Sequence, residues 1–342
     1  MKTKKKLNAS VVGLGVGEKH LNFLKKNKNI KIASIFDPDF KKTNKVSKNF
    51  NIKYVTSFNQ ITSEQKTDIV IIASPDHFHT EQIIQCIRKK KNIFIEKPIC
   101  NNLNALSSIV TEWKKNKKKA KIRSNLILRT APLFIWLKKK IENNYFGKIY
   151  SIDAEYLYGR LNKFLNGWRG KTANYSPMSG GGVHMIDLIC WLIQELPTEV
   201  FSQSSNLCTK EYKKKFKLNS DDFISSNFRF KSGILSRVTA NLGCAFKHQH
   251  TLKIYGSKKT FIYDDLGPRI YTGNDKKLKR TKLKMPSLPK NKTDILKQFT
   301  NDILNNNYDI QCALNDLRIA NVLCYSILSA KKLKKLKIKY LT

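Results

Sequence analysis

The chain has 342 residues, 41% of them hydrophobic, with 65 Lys and Arg against 25 Asp and Glu, a formal net charge of +40. This length predicts about two folded domains, and the composition excludes a disordered chain. No apolar run approaches the roughly 18 residues a membrane span needs. Seven cysteines, odd in number and without a Cys-x-x-Cys pair, argue against a disulfide framework or a zinc cage and for the reducing cytoplasm. The lysines are spread over every segment alongside abundant Asn and Ile, and no zinc finger, helix-turn-helix or aromatic RNA-binding motif is visible. They read as solvated faces rather than a nucleic-acid footprint. A milder consequence of the charge is attraction of anionic metabolites.

Lys4, Lys5 and Lys6 followed by Val11–Val16 imitate a signal peptide. The apolar part is short, carries Asn8 and Ser10, and lacks a small-residue cleavage site, so a buried first strand is expected. It ends in Gly13-Leu-Gly15-Val-Gly17, and Leu21 and Leu24 then mark a helix. Strand, glycine turn and helix start form the first βα turn of a dinucleotide-binding fold. Gly13 suits the sharp turn and Gly15 a close approach of backbone to a pyrophosphate. The usual third glycine would fall at Glu18, and Gly17 stands one place early.

Ile30–Phe36 is a second β-rich run, ending at Asp37-Pro38-Asp39. An acidic residue about 20 positions beyond the glycines accepts from the adenosine ribose hydroxyls, so Asp37 favours NAD over NADP. Asp68–Ala73 reads as a strand covered on both faces, and it ends in Ser74-Pro75-Asp76-His77-Phe78-His79. Turns at the carboxyl ends of such strands border the ligand, which places Ser74, Pro75 and His77 at the cofactor edge. His77 and His79 also resemble a metal pair, but no third ligand stands at matching spacing, so no metal site is expected. Asn92–Ile95 is the next strand, ending in Glu96-Lys97-Pro98. A lysine there, partly desolvated beside a nicotinamide, is suited to exchange a proton with a substrate hydroxyl.

In the second half, Tyr150, Ile152, Ala154, Tyr156 and Tyr158 alternate with polar residues, a strand with one buried face. A Gly-containing loop follows, with Arg160, Trp168, Arg169 and Tyr175, residue types suited to an anionic group and a sugar ring, or equally to a surface loop. A helix starting near Val183 puts His184 and Asp187 on one face, where a hydrogen bond would orient the imidazole. Phe228–Phe230 and Ile234–Leu242 predict a β-hairpin, and Leu252–Tyr255 and Thr260–Tyr263 two more strands. His248-Gln-His250 carries the same metal-pair ambiguity as His77 and His79. Residues 266–292, rich in Lys and Pro, predict a loop. Two amphipathic helices (Ile295 to Ile303, Leu317 to Ile327) and an edge strand over Lys335–Tyr340 close the chain.

Gly13-x-Gly15 with His20, Asp37, Ser74–His79, Glu96-Lys97-Pro98, Ser124–Arg129, Phe146–Tyr150 and Gly180–Leu188 occur in the order and spacing of the Gfo/Idh/MocA oxidoreductases, which the chain resembles over nearly its whole length. The resemblance implies an α/β protein: an N-terminal Rossmann domain with a doubly wound parallel sheet (1–123), and a C-terminal α/β domain with an open, largely antiparallel sheet for substrate and oligomer contacts (124–342). It implies a cytoplasmic homo-oligomer, dimer or tetramer, that moves hydride between NAD (NADP less so) and a sugar, cyclitol or nucleotide-sugar hydroxyl. The glycine turn resembles a subset associated with bacterial surface-polysaccharide genes. By the same resemblance Lys97 is the catalytic lysine and His184 the active-site histidine. Many members carry an Asp four residues before that histidine, where this chain has Gly180. A cofactor-binding sensor or assembly subunit without turnover is the alternative that this departure motivates.

Overall fold

Five short stretches, each with a buried apolar part, define the first sheet. In this computed structural model, which describes residues 6–172, 175–211 and 220–342, the chain runs β1 (Leu7–Val12), α1 (Gly17–Lys26), β2 (Ile30–Phe36), α2 (Phe40–Phe50), α3 (Phe58–Ser63), β3 (Ile69–Ile72), α4 (His79–Arg88), β4 (Asn92–Ile95), α5 (Leu103–Lys115) and β5 (Ile122–Ser124). The strands pair in the order β2-β1-β3-β4-β5, all parallel. All four residues of β3 are buried, as a strand with helices on both faces requires. The order reverses between β1 and β3, so their carboxyl ends open a crevice outside the sheet. Asp39 and Asn102 cap α2 and α5 by accepting from backbone N–H groups one turn on.

The following elements are α6 (Pro132–Glu142), β6 (Ile149–Leu157), α7 (Leu161–Asn166), α8 (Val183–Ile193), β7 (Pro197–Ser205), α9 (Leu207–Lys210), β8 (Phe223–Phe230), β9 (Leu235–Asn241), β10 (Gln249–Gly256), β11 (Lys259–Asp264), β12 (Gly267–Thr272) and β13 (Lys279–Lys282). After α10 (Asp294–Leu304) and α11 (Gln311–Lys332) comes β14 (Leu336–Lys337). Among the described residues nine strands form one sheet, ordered β13-β12-β11-β10-β6-β9-β8-β7-β14. β6 and β9 run parallel, and the other neighbouring pairs run antiparallel. Ile152, Ala154 and Tyr156 of β6 are buried, the alternation expected of a strand with one covered face.

The chain divides into two compact units. One comprises Met1–Asn125, Asn291–Ala320 and Leu341–Thr342; the other comprises Leu126–Lys290 and Asn321–Tyr340. The return of 291–320 to the first unit has a plain cause. Ile295, Leu296 and Phe299 of α10 join Leu21, Leu24, Ile69 and Phe94 in its core. A boundary drawn once along the sequence does not contain that return.

The loop expected over 266–292 is corrected in part: β12 and β13 lie inside it, as a hairpin added to β11. All of β13 is exposed, so it has no buried face and no apolar alternation to announce it. Its hydrogen bonds come from pairing with β12 rather than from side-chain pattern. The closing strand pairs with β7 at Leu336 and Lys337, and the Ile338 N–H adds a bond to the Thr198 carbonyl at 2.8 Å. Lys4 and Lys5 of the basic leader lie outside the described residues.

Candidate active site

The glycine turn divides its work among three residues. Gly13 has φ +81°, and a Cβ there would lie 2.4 Å from the Ser74 nitrogen, so the turn admits only glycine. At Gly15 a Cβ would meet nothing nearer than the Lys42 ammonium at 3.9 Å, which leaves bare backbone facing outward. Gly17 opens α1, where a Cβ would come 2.9 Å from Val11 of β1. That is the close helix–strand packing the third glycine of a dinucleotide turn provides, delivered one residue early. No side chain caps the amides at the start of α1. Tight turn, open approach and helix N-terminus fit a pyrophosphate.

Asp37, at the end of β2, faces this turn. Its Oδ2 accepts from the Leu14 N–H at 2.7 Å and from the Lys42 ammonium at 3.0 Å, and its Oδ1 accepts from the Asp39 N–H at 3.0 Å. The carboxylate therefore ties the strand end to the glycine turn.

Ser74, Pro75 and His77 follow β3, and Glu96, Lys97 and Pro98 follow β4, all at carboxyl ends of neighbouring strands. The Ser74 hydroxyl donates to Gln82 Oε1 at 2.6 Å, and exposed His77 packs on the Phe78 ring. His79 is fully buried, with Nδ1 2.7 Å from the Pro98 carbonyl and Nε2 2.9 Å from the Ser74 carbonyl. Both ring nitrogens thus hold the two turns together. The Lys97–Pro98 bond is cis. Beneath it, Glu96 Oε1 accepts from His20 Nε2 at 2.8 Å and from Asn125 Nδ2 at 2.7 Å. Burial pushes the Glu96 carboxyl up, but His20, Asn125 and the nearby Lys97 together outweigh it and hold the group below the ordinary carboxylate value.

In the other unit, His184 and Asp187 stand three residues apart on α8, as the periodicity predicts. The Asp187 carboxylate, 1% exposed, is gripped by the Arg129 guanidinium, with Nε 3.0 Å from both oxygens and Nη2 on Oδ1. A bidentate guanidinium is a strong partner for a buried carboxylate. His184 meets the His250 ring edge-on, centroids 6.2 Å apart. His250 and His248 pack in turn on Tyr156, which stacks on Tyr158. Burial, reinforced by Tyr158, pushes the Tyr156 phenol up. A cavity of about 300 Å³ lies at this cluster, lined among others by Lys247, His248, Gln249, His250 and Tyr263.

The loop residues fall into two groups. Arg169 donates through Nε to the Tyr175 hydroxyl at 2.9 Å and lies over the Trp168 ring, while Arg160 lies over Tyr158. Lys42, Arg129 and His250 were missed as site residues. Lys42 had a faint signal, since it follows the capping Asp39 by three residues. Arg129 and His250 stood out only as members of the Ser124–Arg129 and His248–His250 stretches, because their partners are 58 and 66 residues away and are chosen by packing. Among the described residues no cluster of His, Cys, Asp and Glu is arranged to hold a metal ion, and no helix is long and apolar enough to cross a membrane.

Family comparison decides what this arrangement is. Residues 7–123 match the profile of an oxidoreductase family with an NAD-binding Rossmann fold, and residues 134–262 match the GFO/IDH/MocA C-terminal domain. The chain belongs to the Gfo/Idh/MocA oxidoreductase family. Among its relatives is a 2,7-anhydro-N-acetylneuraminate hydratase of Escherichia coli, 26% identical over 75% of this chain and 68% of that protein. Another is a glucose-6-phosphate 3-dehydrogenase of Bacillus subtilis, 26% identical over 75% of this chain and 74% of that one. A solved scyllo-inositol dehydrogenase from Lactobacillus casei, with NAD(H) and scyllo-inositol bound, shares the fold with a TM-score of 0.76 at 17% identity, covering 98% of this chain and 99% of that one. In this Gfo/Idh/MocA chain the glycine turn, Asp37 and the two strand-end turns stand together at the carboxyl ends of the four neighbouring parallel strands β2, β1, β3 and β4.

Proposed function

We propose that this oxidoreductase moves hydride between NAD(H) and a secondary hydroxyl of a sugar-type substrate: a sugar, cyclitol or nucleotide sugar. The observation that carries this reading is the Glu96-Lys97-Pro98 turn. It stands at the carboxyl end of β4, braced by His20, Asn125 and His79, in the same sheet as the glycine turn. The nicotinamide, when bound, supplies the hydride acceptor or donor. Lys97 takes the hydroxyl proton as the carbinol C–H bond breaks and the carbonyl forms, and returns it in the reverse direction. Glu96 lies beside it, its carboxylate held in place by His20 and Asn125. His184 is the second proton-handling side chain, carried by the other unit. Asp37 supports NAD(H) as a cofactor, because a carboxylate accepts from ribose hydroxyls. The relatives' named substrates, an anhydro-sialic acid and a sugar phosphate, support an anionic or polyhydroxylated ring.

The test is NADH absorbance against a panel of cyclitols, sugar phosphates and nucleotide sugars, beside cofactor titration. Substrate-dependent formation or consumption of NADH supports the reading. Tight cofactor binding with no hydride transfer on any substrate would instead support a cofactor-binding sensor or assembly subunit.

A further inference from the structure

We infer that Lys42 sets the cofactor selectivity of this chain by neutralising Asp37 and offering its ammonium to a 2′-phosphate, so that NADP(H) is accepted alongside NAD(H). The inference rests on the cofactor reading above and concerns only the first unit.

A carboxylate accepts about four hydrogen bonds. On Asp37 two are taken by the backbone N–H groups of Leu14 and Asp39, which belong to the fold and stay in place. A third is taken by the Lys42 ammonium at 3.0 Å. About one site is left, whereas a ribose diol held through both hydroxyls needs two. With Lys42 in place Asp37 therefore grips the diol weakly, and its charge, the element that would reject a phosphate, is paired.

Lys42 is also placed to do more than cancel a charge. Its backbone is pinned in the first turn of α2, where its N–H donates to the Asp39 carboxylate. Thr43 fastens the same turn to the Asp37 carbonyl at 3.0 Å. From there the side chain, about one-third exposed against 10% for Asp37, reaches back over Gly15. An ion pair with one partner this exposed is weak and exchanges readily. A dianionic phosphate is a stronger acceptor for an ammonium than a carboxylate already holding two backbone donors. A nearby cation is the general device by which a dinucleotide fold accommodates the 2′-phosphate; here a carboxylate and a cation occupy one position together.

The experiment is titration of the purified chain with NADH, NAD, NADPH and NADP, followed by calorimetry or by reduced-nicotinamide fluorescence, for wild type, Lys42→Met and Lys42→Arg. Wild type should bind NADPH no more than about tenfold more weakly than NADH. Lys42→Met keeps the aliphatic stem and should weaken NADPH about 10- to 100-fold, the loss of one charge-assisted hydrogen bond. NADH should hold its affinity within about threefold or bind more tightly, since Asp37 regains a site. Lys42→Arg should retain NADPH binding. Equal weakening of both cofactors by Lys42→Met would place the ammonium on the shared pyrophosphate and overturn the inference. Unchanged affinities in that variant would overturn it too. Wild type that binds neither cofactor would sink the cofactor reading itself, a distinguishable result.

Discussion

The phenol oxygen of Tyr175 lies 3.2 Å from the point where a Cβ on Gly180 would stand. Tyr175 is 3% exposed, and Arg169 donates to that same oxygen at 2.9 Å. The place beside the helix where an acidic side chain at position 180 would emerge is therefore filled by a phenol with a guanidinium on it. Gly180 itself lies in helical backbone, within the π-turn Met178–Gly182 that leads into α8. What obstructs a side chain here is a neighbour rather than the backbone angle.

Installing the acid should accordingly fail in the wild-type background. Gly180→Asp should cost about 1–3 kcal/mol through overpacking and should not raise activity. Thermal unfolding and turnover measured on Gly180→Asp and on Gly180→Asp with Tyr175→Ala test this. With Tyr175→Ala alone as the reference, the aspartate should cost less stability on that background than in wild type, because the slot is open there. A fully stable single variant would show that Tyr175 yields freely.

Lys97→Ala should lower turnover about 10²- to 10⁴-fold, the usual worth of a positioned acid or base. NADH affinity should change far less, because the glycine turn and Asp37 remain. His184→Ala should lower turnover as well, by a smaller factor. Single-turnover hydride transfer on a verified substrate measures the chemical step directly. Equal rates for wild type and Lys97→Ala would remove the lysine from proton transfer.

The Arg129–Asp187 pair should be costly to break from one side. Asp187 is 1% exposed and Arg129 11%, so removing either leaves a charge in a poorly solvated place. Asp187→Ala or Arg129→Ala should destabilise by about 3–5 kcal/mol. Replacing both partners with apolar residues of similar size should cost markedly less. Denaturant unfolding of the two singles and the double decides, and additive losses would mean the pair is not coupled.

Glu96 yields a pH dependence. Its folded-state pKa lies below the ordinary value of 4.5, so it stabilises the fold fully above that value. The contribution fades as pH falls below 4.5 and through the lowered folded value. Wild type should thus lose stability on acidification in this window more steeply than Glu96→Gln. Melting temperatures of both proteins down the acid limb provide the check, and parallel curves would deny Glu96 that role.

The two sheets, the glycine turn and the Lys97 turn were legible because each rests on local chemistry. Continuous apolar runs such as Ile69–Ile72 read as strands covered on both faces, and glycines at a strand end read as a turn that side chains cannot enter. Asp37 and Lys97 stood out as candidates because Asp37 directly follows β2 and Lys97 stands two residues beyond β4. Gly17 looked misplaced by its spacing, and only its 2.9 Å approach to Val11 explains it. β12 and β13 stayed hidden because an exposed edge strand takes its hydrogen bonds from a partner and needs no apolar alternation. Asp187 shares a helix face with His184, and tertiary packing also brings Arg129 to it from 58 residues away, with the two-pronged grip a guanidinium gives a buried carboxylate. Lys42 over Asp37 and Tyr175 over Gly180 belong to the same class. Sequence order determined which chemical groups this chain has at its strand ends, and the fold alone decided which of them lie against one another, because burial assigns each polar group the partner that packing brings within reach.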